Sequence, residues 1–317
     1  MAPANYGPGM VDMLAYDEFG MFHDNAVEFG LPYPGPPKVR RESVEVTPGR
    51  RLSALVWGDA PPELVLIHGG AQNAHTWDTV ALALGRPLVA VDLAGHGHSD
   101  DVGPLAPGQL RADSLAADVA GAIRALAPNA AAVVGMSLGG MTSMCLAHQA
   151  PDLVRKLILV DVTPGVTAEK AKAITDFVNG PATFANFEEI LARTVEHNAT
   201  RTVASLRRGI LHNAVQQNDG SWVWRHRRFT PSTDKAAKTP ENRHDYGMLW
   251  DPLEAVTAPV LLVRGMRPQS VVDDADETEF RRRLPAGVVA RVAEAGHSVQ
   301  GDTPLELAQL IEDFVFG

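Results

Sequence analysis

Ala131-Ala-Val-Val-Gly135-Met-Ser137-Leu-Gly139-Gly140 is the stretch from which the fold is read. Its β-branched pair, Val133 and Val134, runs straight into a glycine-flanked serine. After the serine, Leu138, Met141, Met144 and Cys145 recur at helical spacing, so strand, turn and helix follow one another with no loop between them. A turn that tight holds its middle residue at a strained backbone angle and presents that side chain to solvent. Gly135 and Gly139 would keep side chains away from the place where strand and helix converge. Ser137 is therefore a candidate nucleophile. Gly-x-Ser-x-Gly also arises by chance in glycine-rich loops, and its weight here comes from sitting where a strand becomes a helix.

Outward from the turn, short apolar runs alternate with helical patterns. Glu63-Leu-Val-Leu-Ile67 leads into His68-Gly69-Gly70, and Leu88-Val-Ala-Val-Asp92 leads into Leu-Ala-Gly95-His-Gly97-His98-Ser99. Val154 to Val160 is a third such run, ending at Asp161. Continuous apolar runs of this length are strands buried on both faces of a parallel sheet. Helices are expected from about His75 to Leu84, from Ser114 to Leu126, and from the turn to about Ala150. The alternation from Glu63 to Asp161 specifies a doubly wound, mostly parallel sheet covered on both faces. Lys38–Val46 and Leu52–Trp57, around Thr47-Pro-Gly49-Arg, read as a leading hairpin.

After Thr163-Pro164-Gly165 the pattern breaks, and about 85 residues pass without a strong buried-strand run. Residues 164–250 are expected to form an inserted, mainly helical cap, with helices at Ala168–Val178, Phe187–His197 and Val203–Leu211. Trp222 and Trp224 lie in a short extended piece. The sheet resumes at Pro259–Val263 and Val288–Val292, and a helix from Pro304 to Phe316 closes the chain. The expected organisation is a core of residues 38–163 and 251–317, the cap, and an N-terminal extension of residues 1–37. In that extension Phe19, Phe22, Ala26 and Phe29 share a helical face that must be buried, against the core or at a pocket entrance or dimer contact.

Composition narrows the partners. The 317 residues carry a formal charge of −10, which argues against nucleic acid, since phosphate binding needs clustered Lys and Arg. The basic cluster Arg225–Arg228 reads as a solvated edge. Cys145 is the lone cysteine, so no intrachain disulfide can form, and no Cys/His spacing suggests zinc. No apolar run approaches the ~18 residues of a membrane helix, and Met1 to Met10 has neither a basic leader nor an apolar stretch. A cytoplasmic monomer or homodimer without metal or organic cofactor is the expectation.

A serine hydroxyl needs a base within hydrogen-bond reach, and that base needs an acid to fix its tautomer. Of eleven histidines, His297 in Glu294-Ala-Gly-His297-Ser follows the last strand and would open onto the same sheet edge as Ser137. His68 is expected to brace the loop after its strand and His96 to hold its glycine turn, while His75, His98 and His212 read as loop or cap residues. Two places could supply the acid: Asp161, at the tip of a central strand, and Asp273, Asp274 and Asp276, which N-cap and first-turn roles would also explain. Asp161 is favoured over Asp274, because a carboxylate at a strand tip is costly to bury unpaired. The amides of Leu138 and Gly70 are the candidate oxyanion donors.

Together these motifs resemble the α/β-hydrolase superfamily from about residue 40 to the C-terminus. Gly69-Gly-Ala-Gln-Asn-Ala-His-Thr-Trp-Asp, Ser205-Leu-Arg-Arg-Gly, Asn218-Asp-Gly-Ser-Trp-Val-Trp-Arg and Gly296-His-Ser-Val-Gln resemble mycobacterial serine esterases with a helical cap. The resemblance implies the α/β-hydrolase fold, with an eight-stranded sheet, and an acid at the Val160-Asp-Val-Thr-Pro position. The chain departs from the wider family at Gly265-Met-Arg-Pro-Gln-Ser, where the usual acid is absent. The implied activity is hydrolysis of small to medium hydrophobic carboxylic esters through an acyl-enzyme, with Phe184, Phe187, Trp222, Trp224 and Trp250 available for an apolar wall. Thioesterase, lactonase, amidase, carbon–carbon hydrolase and cofactor-free dioxygenase activities share the motif, and a non-catalytic ligand-binding member of the fold is the alternative of another class.

Overall fold

A computed structural model describes residues 14–102, 111–226 and 246–317. In chain order, α1 (Phe22–Glu28) precedes the hairpin β1 (Val39–Thr47) and β2 (Arg50–Trp57). Then come β3 (Leu64–Ile67), α2 (Asp78–Leu84), β4 (Leu88–Val91), α3 (Arg111–Leu126), β5 (Ala132–Met136), α4 (Leu138–Gln149) and β6 (Leu157–Val160). The following segment carries α5 (Lys172–Val178), β7 (Thr183–Phe184), α6 (Phe187–His197), α7 (Val203–Asn213), β8 (Ala214–Gln216) and β9 (Trp222–Trp224). The chain ends with α8 (Trp250–Glu254), β10 (Val260–Gly265), α9 (Asp274–Arg283), β11 (Val288–Val292), α10 (Val299–Asp302) and α11 (Pro304–Phe316).

The main sheet has eight strands among the described residues, in the order β1-β2-β4-β3-β5-β6-β10-β11. Only the β1–β2 and β2–β4 pairings are antiparallel; from β4 to β11 every neighbour is parallel. Strands β3, β4, β5, β6 and β10 are buried along their whole length, which is why they read as continuous apolar runs. Their alternate side chains enter opposite layers. Val65 and Ile67 join a core shared with Leu115, Met141 and Phe280 of α3, α4 and α9. Leu64 and Leu66 join the other face, with Val80 of α2 and Leu307 of α11.

The N-terminal helix buries Phe22 and Ala26 against the core, with Phe22 4.9 Å from the Trp57 ring. The same helix reaches the inserted segment, where Asn25 accepts from Arg208 Nε at 2.7 Å and Glu28 pairs with Arg208. Residues 164–226 hold α5 to α7, and they also hold a three-stranded antiparallel sheet, β7-β9-β8, around a small core of Phe184, Phe187, Ile190, Ile210 and Trp222. That sheet extends the mainly helical expectation: of its strands only β9 was expected as an extended piece, because strands of two or three residues are too short for any periodicity to register. Arg225 is partly buried over the Tyr16 ring rather than lying on a solvated edge. Arg227 and Arg228, like the residues before Leu14, lie outside the described residues.

Candidate active site

The parallel strands all deliver their carboxyl ends to one edge, and the sequence-predicted residues arrive there from separate loops. Register fixes the spacing: Ile67 pairs with Gly135, and Met136 and Val263 both pair with Val160. One step beyond those pairs lie His68, Ser137 and Asp161. Ser137 has φ 52° and Asp161 φ 46°, backbone values that non-glycine residues adopt only when the surroundings impose them. Packing imposes the first. A Cβ at Gly139 would stand 2.2 Å from the carbonyl oxygen of Ile67, and one at Gly135 would stand 2.5 Å from that of Gly139. Strand and helix therefore touch backbone to backbone, and the serine between them is forced outward.

Asp161 is wholly buried and accepts four hydrogen bonds. Its Oδ1 receives the Gly265 amide at 2.9 Å and the Ser270 hydroxyl at 2.6 Å; its Oδ2 receives the Val271 amide at 3.0 Å and His297 Nδ1 at 2.9 Å. Every lone-pair direction of the carboxylate is thus used, which removes the cost of burying it. Gly265-Met-Arg-Pro-Gln-Ser270, the stretch lacking an acid, supplies donors to Asp161 instead. Asp274 stands apart: its side chain is 93% exposed and pairs with Arg264 at 2.8 Å. Asp273 caps α9 in a reciprocal capping box with Asp276.

His297 is buried, and with Nδ1–H donating to Asp161 its Nε2 carries the free lone pair. Ser137 and His297 line one cavity of about 240 Å³, together with Gly69 and Gly70. The loop after β3 is tightly held. The Gly69 amide donates to Gln72 Oε1 at 3.1 Å and the Ala71 amide to His96 Nε2 at 3.1 Å. Between them the Gly70 amide has no hydrogen-bond partner among the described residues. Leu138 opens α4, so its amide is one of the first-turn donors that a helix cannot satisfy internally. The glycine without room for a side chain is Gly69, where a Cβ would lie 2.5 Å from Met136 Sδ; at Gly70 the nearest atom is Leu138 Cδ2 at 4.0 Å.

A family model described as the alpha/beta hydrolase fold matches residues 62–304. The chain belongs to the α/β-hydrolase family. Esterase Rv0045c of Mycobacterium tuberculosis is 40% identical over 310 residues, covering 95% of this chain and 96% of that protein. Its crystal structure, described as that of a novel esterase, superposes with a TM-score of 0.80 at 38% identity, over 96% of this chain and all of that one. The sn-1-specific diacylglycerol lipase ABHD11 of Mus musculus is 27% identical over 293 residues, covering 87% and 88% of the two chains.

Other features of this α/β hydrolase escaped the sequence reading. Ser270, Val271 and Gly265 converge on Asp161 only through the fold, and His96, placed in its own turn, also reaches across to the Gly70 loop. The one available signal was the missing acid after Gly265. His68 braces its loop, with Nδ1–H donating to the Gly69 carbonyl at 2.7 Å and Nε2 accepting from the Leu93 amide at 3.0 Å. Of the five aromatic residues offered for the apolar wall, Trp224 lines the cavity. Phe184, Phe187 and Trp222 fill the inserted segment's own core and Trp250 joins the main core. The wall is instead Ile174, Phe177, Val178, Leu206 and Ile210, supplied by α5 and α7.

His75, Asp78 and His212 form a second buried group whose ligand-capable atoms lie within 4.8 Å of one another. The His75 nitrogens are engaged by Asp78 at 2.9 Å and Glu18 at 3.1 Å. Burial alone would lower the His75 pKa, but the two carboxylates outweigh it and raise it to about 9. His212 stacks on that ring at 3.8 Å and 10°, and burial, then the charge on His75, holds it well below the usual histidine range. A single ion bound by both imidazoles would require one ring to turn out of this stack, since ligation runs in the ring plane. As it stands the group reads as a charged clasp between the extension, the core and the inserted segment.

Proposed function

We propose that the protein is a serine carboxylic ester hydrolase that works through an acyl-enzyme. His297 takes the Ser137 proton as the hydroxyl attacks the ester carbonyl, Asp161 holds the imidazole in the required tautomer, and the amides of Gly70 and Leu138 receive the oxyanion. His297 returns the proton to the leaving alkoxide, and water then attacks the acyl-enzyme by the same route. The observation that carries this reading is the 2.9 Å bond from His297 Nδ1 to Asp161, made at a cavity that Ser137 also lines. The 40% identity to an esterase over nearly the whole chain supports it.

The cap of residues 164–250 lays Ile174, Phe177, Leu206 and Ile210 along the acyl chain of a small to medium ester. The test is turnover of p-nitrophenyl acyl esters of graded chain length. Saturable release of nitrophenolate by the natural protein, reduced at least about 10⁴-fold in Ser137→Ala, is the expected result. Equal turnover by the two proteins would contradict it.

A further inference from the structure

Arg201, in the turn leading into α7, lines the cavity shared by Ser137 and His297. Its guanidinium occupies the space beside Gly301, four residues beyond His297: Cζ, Nε and Nη1 are each 3.1 to 3.2 Å from where a Cβ at that position would stand. Nη2 donates to the Ser205 hydroxyl, while Nε is buried and has no hydrogen-bond partner among the described residues. The carboxylates whose charge reaches Arg201 are Asp302 and Glu28, and both are committed elsewhere. Asp302 accepts from the Thr200 hydroxyl and the Gly296 amide, each at 2.8 Å; Glu28 accepts from Thr202 and pairs with Arg208. Lys170, the other Lys or Arg among the described residues of the cavity wall, is neutralised by Asp273 at 2.8 Å and Asp276 at 2.7 Å.

Among the described residues this partly buried guanidinium makes no ion pair and its sealed Nε no hydrogen bond, and its planar fork is matched to a carboxylate. We propose that Arg201 is a carboxylate-binding subsite, and that the substrate is an ester whose acyl chain ends in a carboxylate. This rests on the esterase reading above and names its substrate class. The scissile carbonyl sits at Ser137, the methylene chain runs along Ile174, Phe177 and Leu206, and the distal carboxylate meets Arg201.

The test compares monomethyl glutarate with dimethyl glutarate, which share a skeleton and differ by one capped carboxylate. Hydrolysis is followed by proton release for the natural protein, Arg201→Gln and Arg201→Lys. The natural protein should prefer the monoester by at least tenfold in kcat/KM, chiefly through KM. The preference should fall at least tenfold in Arg201→Gln and return in part in Arg201→Lys. A general loss of packing would lower both substrates together and leave the ratio unchanged, which would overturn the proposal.

Binding is read separately, by thermal shift of Ser137→Ala with the same two compounds. Monomethyl glutarate should raise Tm more than dimethyl glutarate, and the difference should vanish when Arg201→Gln is added. Discrimination in Tm without turnover of either ester would sink the esterase reading and keep the subsite. Turnover of both esters with no preference in rate or in Tm would sink the subsite alone.

Discussion

Ala71, Ser137 and Asp161 are the non-glycine residues with positive φ among those described, and they follow β3, β5 and β6 at one sheet edge. Strain collected at three adjacent strand ends marks a place where the backbone is bent to aim chemical groups. Asp161 and its neighbours make distinct predictions. Asp161→Ala leaves His297 without its acceptor, and ester turnover should drop by about 10⁴-fold, whereas Asp274→Ala should stay within about twofold because it removes an exposed ion pair. Near-full activity in Asp161→Ala would show that the acid is elsewhere. Ser270→Ala removes one of four donors to Asp161; a loss of about 1 kcal/mol, or a few-fold in kcat, is expected in steady-state assays. Ser137 and His297 could be located from local pattern, a glycine-flanked turn and a strand-end loop. Ser270 could not, because nothing in its neighbours indicates that it reaches a carboxylate 109 residues away.

At the scale of elements, the close approach of α4 to the end of β3 explains why the turn tolerates no larger residue at Gly139. In Gly139→Ala the new methyl would meet the Ile67 and His68 carbonyls at 2.2 and 2.6 Å, against rigid backbone on both sides. Overpacking of that kind costs typically about 1 to 3 kcal/mol, so urea unfolding should show a lower midpoint with an unchanged slope. An unaltered midpoint would mean that α4 can slide away from the strand. Buried parallel strands were legible because both faces are apolar, and the helices of the inserted segment because their apolar stripes keep a 3.6-residue period. The sheet β7-β9-β8 was not legible, since its strands are held by Phe184, Trp222 and their neighbours within a local core. The same packing withdrew most of the expected aromatic residues from the cavity wall.

Across the whole molecule, one charged group ties three parts of the chain together. Glu18 and Tyr16 of the extension, His75 and Asp78 of the core and His212 of the inserted segment are in mutual contact. Burial would raise the Glu18 pKa, but hydrogen bonds from His75 and Arg41 outweigh it and lower it to about 2. His75, held near 9 in the fold against about 6.5 when unfolded, contributes stability that is complete below about pH 6.5 and lost as pH rises through about 9. The depressed His212 acts on the other side, destabilising the fold below about pH 6.5. Thermal unfolding should therefore give a Tm that falls between pH 6.5 and 9.5, with a clearly shallower fall in His75→Gln; parallel curves would remove His75 from the clasp. The alternation of strand and helix made the overall architecture readable, while the clasp joins residues about 200 positions apart and left no local trace.

The central claim, a Ser137 nucleophile activated by His297, is tested most directly by intact-mass and peptide analysis after exposure to a fluorophosphonate. One adduct per chain should form, mapped to Ser137, with ester turnover lost in proportion and labelling abolished in Ser137→Ala and in His297→Ala. Continued turnover by a protein whose Ser137 carries no adduct, or an adduct mapped to another residue, would contradict the account.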